Sequence, residues 1–513
     1  MSSSKAPTTL PTPRLPKPRC GDVATSTRGR WRAASLILVH VVVLIHIAHW
    51  KVTGSTLTPV EPSEAMQTLE LGYVNAGFIL FVGLLLLTIV VGRFFCGWAC
   101  HVVAYQDACA WLLKKVGLRP HPVRSRVLVL VPFAAAFYMF AWPQVERMIA
   151  GSAGPAWVWH LKTDVFWATF PGPWIAALTL LVDGALVVWL LGAKGFCTYG
   201  CPYGALFGIA DRVAPGKIRV TESCEQCGHC SQTCTSNVRV HEEVAKFGMV
   251  VDTGCMKCMD CVTVCPKDAL YFGFSGGAPK AKTPPKRMRP RRVYDFSLGE
   301  EVLLSVAAVV GVYAFRGLYH AVPFLLSLGL AVMTAIGAVL AWRLSRRPDV
   351  SIQNHVLKAG GRLSGGGFAA ATVLLSWFGF AGHSAFVQFE TREGLRLRES
   401  ITMSVADYKA SKVVAAKAIP HLRRADRWGL FEDATLLNAL GSCQRLSGDS
   451  EGAIATLRRA IAIDPTVEKH LALSTLLMLE KDLAGARAAL EEVLRLDPEN
   501  DEARRRLAVL DRE

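Results

Sequence analysis

Apolar residues run along this chain in long blocks rather than alternating or recurring with the turn of a surface helix. The blocks lie near 34–50, 73–92, 126–144, 173–193, 300–316, 321–342 and 367–388. An α-helix needs about 20 mostly apolar residues to cross the hydrocarbon of a bilayer, so each block predicts a membrane span; the first and fifth are short or polar-flanked. Beyond the last block the pattern changes. Residues 432–465 and 466–498 repeat one another: Gly452-Ala453 aligns with Gly485-Ala486, Leu457 with Leu490, and Asp464-Pro465 with Asp497-Pro498. The period is close to the roughly 34 residues of a tetratricopeptide repeat, a pair of helices. Residues 499–511 read as a capping helix, and 403–430 as a further, degenerate helical pair. Between the fourth and fifth blocks neither pattern holds. Two short runs, KIRV at 217–220 and ALYFGF at 269–274, predict strands that bracket a cysteine-rich stretch.

Composition agrees with the blocks. The chain has 513 residues, 51% hydrophobic and 19% charged, which excludes a single soluble globule. A net charge of +16 invites a nucleic-acid reading. The bases, however, cluster beside apolar blocks, where Lys and Arg mark cytoplasmic loops, and no nucleic-acid partner is expected. Lys5, Arg14, Lys17, Arg19, Arg28, Arg30 and Arg32 precede the first block, and Lys114, Lys115, Arg119, Arg124 and Arg126 follow the second. Lys280, Lys282, Lys286, Arg287, Arg289, Arg291 and Arg292 precede the fifth, and Arg343, Arg346, Arg347, Lys358 and Arg362 follow the sixth. All fall on one side if the N-terminus is cytoplasmic. The C-terminal domain then lies in the periplasm of a bacterial inner-membrane protein. No small-residue cleavage site follows the first block, so it reads as an uncleaved span.

The expected architecture is a mainly α polytopic membrane protein of about seven spans, with an inserted α+β two-cluster ferredoxin domain and a C-terminal α-solenoid. The segments are a basic cytoplasmic tail (1–33), a four-span core (34–216), the ferredoxin domain (217–276), a basic linker (277–298), three further spans (299–390) and the repeats (391–513).

The chemistry is carried by cysteine. Residues 224–234 read CEQCGHCSQTC and 255–266 read CMKCMDCVTVCP, each a C-x2-C-x2-C-x3-C run. Three close thiolates take three corners of a cubane and the remote fourth serves the other cluster. The expected sets are Cys224, Cys227, Cys230 and Cys265 for one [4Fe-4S] cluster, and Cys255, Cys258, Cys261 and Cys234 for the other. A cytoplasmic compartment disfavours disulfides, and zinc sites draw four ligands from two close pairs.

Two further pairs stand where apolar blocks end: FCGWACH at 95–101 and FCTYGCP at 196–202. Their matched flanks suggest an internal duplication in which Ala104 answers to Ala205. On a continuous helix Cys96 and Cys100 share a face, as do Cys197 and Cys201, at a spacing too wide for an unstrained disulfide. Thiolates suit copper(I), zinc or iron–sulfur, so copper and a third cluster pooled from both pairs are the candidates, with His101 as an extra ligand; small apolar packing is the plain alternative. His40, His46 and His49, near the first block, suit a quinone pocket or ordinary hydrogen bonds better than haem. Asp183 is a costly carboxylate within the fourth block. Cys20, Cys109 and Cys443 have no partner at a ligand spacing, and three glycines at 365–367 suggest a flexible entry to the last span.

Two C-x3-C motifs after membrane helices, followed by two ferredoxin runs, resemble the polyferredoxin membrane proteins of the NapH, NosR and CcoG type. The resemblance covers about residues 34–275. Those families are associated with periplasmic nitrate reductase, nitrous-oxide reductase and cytochrome oxidase assembly. Their pairs usually read C-x3-C-P. Cys201-Pro202 keeps the proline, whereas His101 follows Cys100. The last three spans and the repeats are additions. The resemblance implies electron transfer between a quinone pool or a cytoplasmic donor and a partner redox protein, with the repeats docking a protein. No acid–base or nucleophilic triad points to chemistry beyond quinol oxidation. The alternatives are a copper-handling maturation factor for an exported or membrane metalloenzyme, and a redox sensor signalling through the repeats.

Overall fold

The computed structural model describes residues 26–118, 120–166, 172–274, 294–401 and 408–510. The first part of the basic tail, Cys20 and most of the basic linker lie outside these residues. The chain forms two compact units, Met1–Ala308 with Leu328–Leu374, and Val309–Ser327 with Leu375–Glu513.

Each apolar block forms a helix. Among the described residues six are long and apolar enough to cross a membrane: Arg28–Thr53, Leu128–Ile149, Pro173–Leu191, Leu298–Phe315, Phe324–Arg346 and Gly365–Glu399. Ala76–Val91, at the second block, is a shorter apolar helix. The first helix starts earlier than its apolar block. Arg32 lies inside it, its side chain 11% exposed, and pairs with Asp107 (3.3 Å) and Asp260 (3.4 Å). The third and fourth helices each widen into a π-turn, at Phe137–Ala141 and Leu180–Leu186. The three glycines are not a flexible entry but the first turn of Gly365–Glu399, closed by the Ser364 hydroxyl accepting from the Gly367 N–H at 3.0 Å. Before them the chain folds a small antiparallel sheet, Val350–Ile352, His355–Ala359 and Arg362–Leu363, which the basic composition of this loop conceals.

Both predicted ferredoxin strands form. Lys217–Val220 pairs antiparallel with Leu270–Gly273, register Ile218 to Phe272. Their inner face joins Val238, Val240, Val244 and Val250 in a core that includes Cys230, Cys255 and Cys261.

In the second unit the repeats are helix pairs: Ala434–Ser447 with Ser450–Ile463, and Val467–Leu479 with Leu483–Leu496, closed by Asp501–Leu510. Their aligned glycines have a physical cause. Asp449 and Asp482 cap the second helix of each pair by accepting from the Gly452 and Gly485 N–H groups. A Cβ on either glycine would lie 2.4 Å from the capping carboxylate. The expected helical pair at 403–430 is instead the single helix Tyr408–Trp428, which packs Leu422 against Gly394 in the last turns of Gly365–Glu399. Cys443 is fully buried in this core.

Candidate iron–sulfur centres

The two ferredoxin runs fold as copies of one another. In the first, Gln226, Gly228 and Asn237 have positive φ; at the same offsets in the second, so do Lys257, Met259 and Asp268. Left-handed residues between cysteines curl the backbone around a centre and turn N–H groups inward, and outside glycine this conformation carries strain that surrounding structure must hold. After each curl a short helix starts, His229–Thr233 or Asp260–Thr263.

The curl draws the remote cysteine across. One cavity, about 390 Å³ of empty space partly open to solvent, is lined by Cys224, Cys227, Cys230 and Cys265 together with His241 and Leu270. That cavity brings Cys265 of the second run to Cys224, Cys227 and Cys230 of the first, and Cys234 of the first run packs against the core that holds Cys255 and Cys261. Several donors aim at sulfur: the Ala269 N–H lies 3.3 Å from Cys265 Sγ and Gln226 Nε2 lies 3.5 Å from Cys224 Sγ. Among the described residues no group of three or more His, Cys, Asp or Glu is placed to hold a single metal ion.

The C-x3-C pairs differ from expectation. Neither lies on one continuous helix. Cys96 belongs to the short helix Phe94–Trp98, which ends before Cys100, and Cys100 opens His101–Lys115 in an extended conformation (ψ 122°). Cys197 and Cys201 repeat this across Gly195–Tyr199 and Pro202–Val213, with ψ 112° at Cys201. Both short helices follow a positive-φ glycine, Gly92 or Gly192. The chain thus reverses at each glycine and turns back alongside the span it has just left. Phe81, in the second turn of Ala76–Val91, packs against Tyr203 and Phe207, just after Cys201. The pairs therefore lie between the ends of that helix and not beyond its far end. Cys96 and Cys197 are buried in one apolar cluster, and Cys100 packs against it. His101 turns to Glu61, Nε2 to Oε1 3.4 Å.

The second ferredoxin loop is seated on this region. A Cβ on Gly97 would lie 2.3 Å from the Met256 carbonyl, and Trp98 Nε1 donates to the Lys257 carbonyl at 3.0 Å. Lys257, between two predicted ligands, is almost fully buried. Its Nζ lies 2.7 Å from Asp211 Oδ1, and Lys217 approaches the other oxygen at 3.0 Å. Burial alone would raise the Asp211 pKa; Lys257 and Lys217 outweigh it and hold this carboxyl below the usual range. Asp211 also accepts the Arg93 backbone N–H at 2.9 Å. Hydropathy and charge patterning single out bases near span ends as topology signals and give no role to Arg93, Lys194, Asp211 or Lys257. The signal available in the sequence is a base three residues before each pair, Arg93 before Cys96 and Lys194 before Cys197.

The histidines of the first helix are used locally. His40 meets its own helix at the Leu36 carbonyl, His46 the Leu57 carbonyl and His49 the Thr56 hydroxyl. Both oxygens of Asp183 are buried with no hydrogen-bond partner among the described residues.

Comparison with known proteins agrees with the cysteine patterns. A family described as a 4Fe-4S binding domain matches residues 75–119 and 173–221, the segments that carry both C-x3-C pairs. A 4Fe-4S dicluster domain matches 223–270, and a tetratricopeptide repeat matches 434–467. Similar proteins include the methylamine utilization ferredoxin-type protein MauN of Methylorubrum extorquens, 29% identical over 34% of this chain and 60% of its own length. The ferredoxin-type protein NapH of Haemophilus influenzae is 27% identical over 35% of this chain and 62% of its own. The putative electron transport protein YccM of Escherichia coli is 28% identical over 40% of this chain and 58% of its own. The chain thus spans about three-fifths of the length of these relatives.

Proposed function

We propose that this chain, which is similar to ferredoxin-type proteins of the NapH kind and carries a tetratricopeptide repeat beside its 4Fe-4S domains, is a membrane-bound electron-transfer protein. It carries two [4Fe-4S] clusters and links a quinone pool or a cytoplasmic donor to a partner redox protein. The observation that carries this reading is the pair of matching cysteine curls, with Cys265 of the second run lining one cavity with Cys224, Cys227 and Cys230 of the first. In the proposed sets Cys224, Cys227, Cys230 and Cys265 hold one cluster, and Cys255, Cys258, Cys261 and Cys234 the other. When bound, the clusters supply one-electron chemistry at low potential. The protein's own part is to shield them, aim N–H groups at their sulfurs and seat the second loop on the apolar helices through Lys257 and Asp211. The ferredoxin domain faces the cytoplasm and the repeats face the periplasm, where their helices offer a docking surface to the partner.

Iron and acid-labile sulfide are measured on anaerobically purified protein, followed by anaerobic addition of a reduced quinone analogue to the protein in vesicles. At least about eight iron per chain, with cluster bleaching on quinol addition, is expected. Fewer than about four iron in an intact preparation overturns the ferredoxin reading. Full iron with reduction only by a soluble low-potential donor overturns the quinone link and leaves the cytoplasmic one.

A further inference from the structure

We propose that the loop at 428–431, which leads from Tyr408–Trp428 into the repeats, enters the interfacial layer of the bilayer, so that phospholipid covers Trp428, Leu430 and Phe431. The inference rests on the apolar helices crossing a membrane and is independent of the clusters.

The first observation is exposure. The loop reads Trp-Gly-Leu-Phe and joins Tyr408–Trp428 to Ala434–Ser447. Connections between helices that face water are ordinarily polar. Here Trp428 is 55%, Leu430 58% and Phe431 71% exposed. Single exposed apolar residues need no explanation, whereas large ones grouped in one loop mark a contact surface.

The second observation is where the loop is held. The Leu430 N–H donates to Tyr319 Oη at 2.8 Å, and the Phe431 ring meets the Tyr319 ring edge-on at 5.5 Å. His320 reaches Asp433 at 2.6 Å, and His383 Nε2 donates to the Trp428 carbonyl at 2.8 Å. Tyr319 and His320 belong to the turn between the apolar helices Leu298–Phe315 and Phe324–Arg346. Both have positive φ, a strained conformation that these contacts help to hold. His383 stands roughly 27 Å along Gly365–Glu399 from its start, close to the about 30 Å of hydrocarbon that such a helix crosses. A loop tied to a turn between spans and to this level of a third lies at the water interface, where aromatic rings concentrate. Just beyond His383 the same helix exposes Phe386 and Phe389.

The third observation is charge. The acids beside the loop, Asp426 and Glu432, are both taken by Arg459, at 2.8 and 2.7 Å. Arg427 is exposed and makes no ion pair among the described residues. Apolar side chains with an unpaired base beside them fit a phospholipid with an acidic headgroup: the rings and Leu430 reach the acyl boundary and the guanidinium meets the phosphate. Lipid is present at this level whatever protein the repeats bind, whereas a protein covering the loop would have to approach along the membrane plane. The loop then fixes the start of the repeat array to the membrane surface.

The test places an environment-sensitive fluorophore on Leu430→Cys in the full-length protein, in a background lacking other reactive thiols. The protein is held anaerobically in lipid nanodiscs of phosphatidylethanolamine and phosphatidylglycerol. Val306→Cys, exposed on an apolar helix, is the hydrocarbon control, and Glu499→Cys is the water control. Position 430 should be quenched by nitroxide-bearing lipids at a depth of about 5–10 Å into the headgroup boundary. It should also lose the quenching by aqueous iodide that position 499 keeps. Adding Trp428→Ser/Phe431→Ser should restore iodide quenching at 430; unchanged lipid quenching would mean that the fluorophore inserts by itself, and the proposal falls. Iodide quenching at 430 equal to that at 499 overturns it. Protection from both quenchers means that protein covers the loop, and overturns it also. Absence of lipid quenching at 306 overturns the membrane reading itself.

Discussion

At the scale of single residues the decisive groups are buried charges that touch no solvent. Asp211 is fully buried and serves two lysines and one backbone N–H. Replacing Asp211 with Asn leaves Lys257 and Lys217 without an anion, and breaking a buried pair this way costs about 3–5 kcal/mol. The expected outcome is a lower unfolding temperature together with preferential loss of the cluster held by Cys255, Cys258, Cys261 and Cys234. Mössbauer spectroscopy of the variant checks it; equal loss of both clusters would contradict it. Gly97→Ala probes the same seat by sterics alone. Its new methyl would sit 2.3 Å from a backbone carbonyl, so the second loop must lift. Proteolysis near residue 256 should accelerate while the first quartet keeps its iron.

At the scale of elements, the repeat helices show how a sequence pattern follows from local chemistry. The Gly-Ala pairs recur because an Asp three residues earlier caps the helix through the glycine N–H, leaving no room for a side chain. Gly485→Ala should therefore destabilise the last repeat, by about 1 kcal/mol if the cap is lost, as read from its thermal transition. In the second unit His320 reaches Asp433, the cap of Ala434–Ser447, at 2.6 Å. The hydrogen bond that His320 donates to the Asp433 carboxylate raises the His320 pKa. Burial would raise Asp433, but His320 prevails and holds it below the usual carboxylate range. The acid's contribution is present above its unfolded pKa and lost as pH falls through the lowered folded value. The imidazole's is present below its unfolded pKa and lost as pH rises through the raised folded value. The link is at full strength only between about pH 4 and 6.5. Amide-exchange protection at residues 430–436, taken relative to the intrinsic exchange rate at each pH, should be greatest in that window and weaker at about pH 8, a difference that His320→Gln removes.

At the scale of the whole molecule, apolar helices, a ferredoxin module and a repeat module share one chain. Gly365–Glu399 has 35 residues, roughly 52 Å of helix, more than the about 30 Å of hydrocarbon in a bilayer. Its last turns are already part of the repeat core, where Glu390 pairs with His421 and Arg424. The proposed topology is checked with single-cysteine reporters at positions 285 and 499, in sealed vesicles and a background lacking other reactive thiols. The two sites should label from opposite faces; labelling from one face would overturn the placement of the repeats in the periplasm.

Much of the molecule is legible in its sequence. Cysteine spacing along a chain is a covalent property, and three cysteines within seven residues mark a curl, as at Cys224, Cys227 and Cys230. Apolar block length and repeat period are likewise local, because a bilayer sets one and a helix pair the other. What tertiary structure alone decides is whatever depends on the chain reversing. FCGWACH and FCTYGCP read as ordinary helical turns. Only the positive-φ glycines Gly92 and Gly192, and the breaks before Cys100 and Cys201, fold them back beside their spans. Arg32 reads as a topology signal and Arg93 is marked only by its place three residues before Cys96, because a base looks the same in sequence whether it faces water or a buried carboxylate. Burial is a property of neighbours far along the chain, and Asp211, 118 residues from Arg93, is such a neighbour.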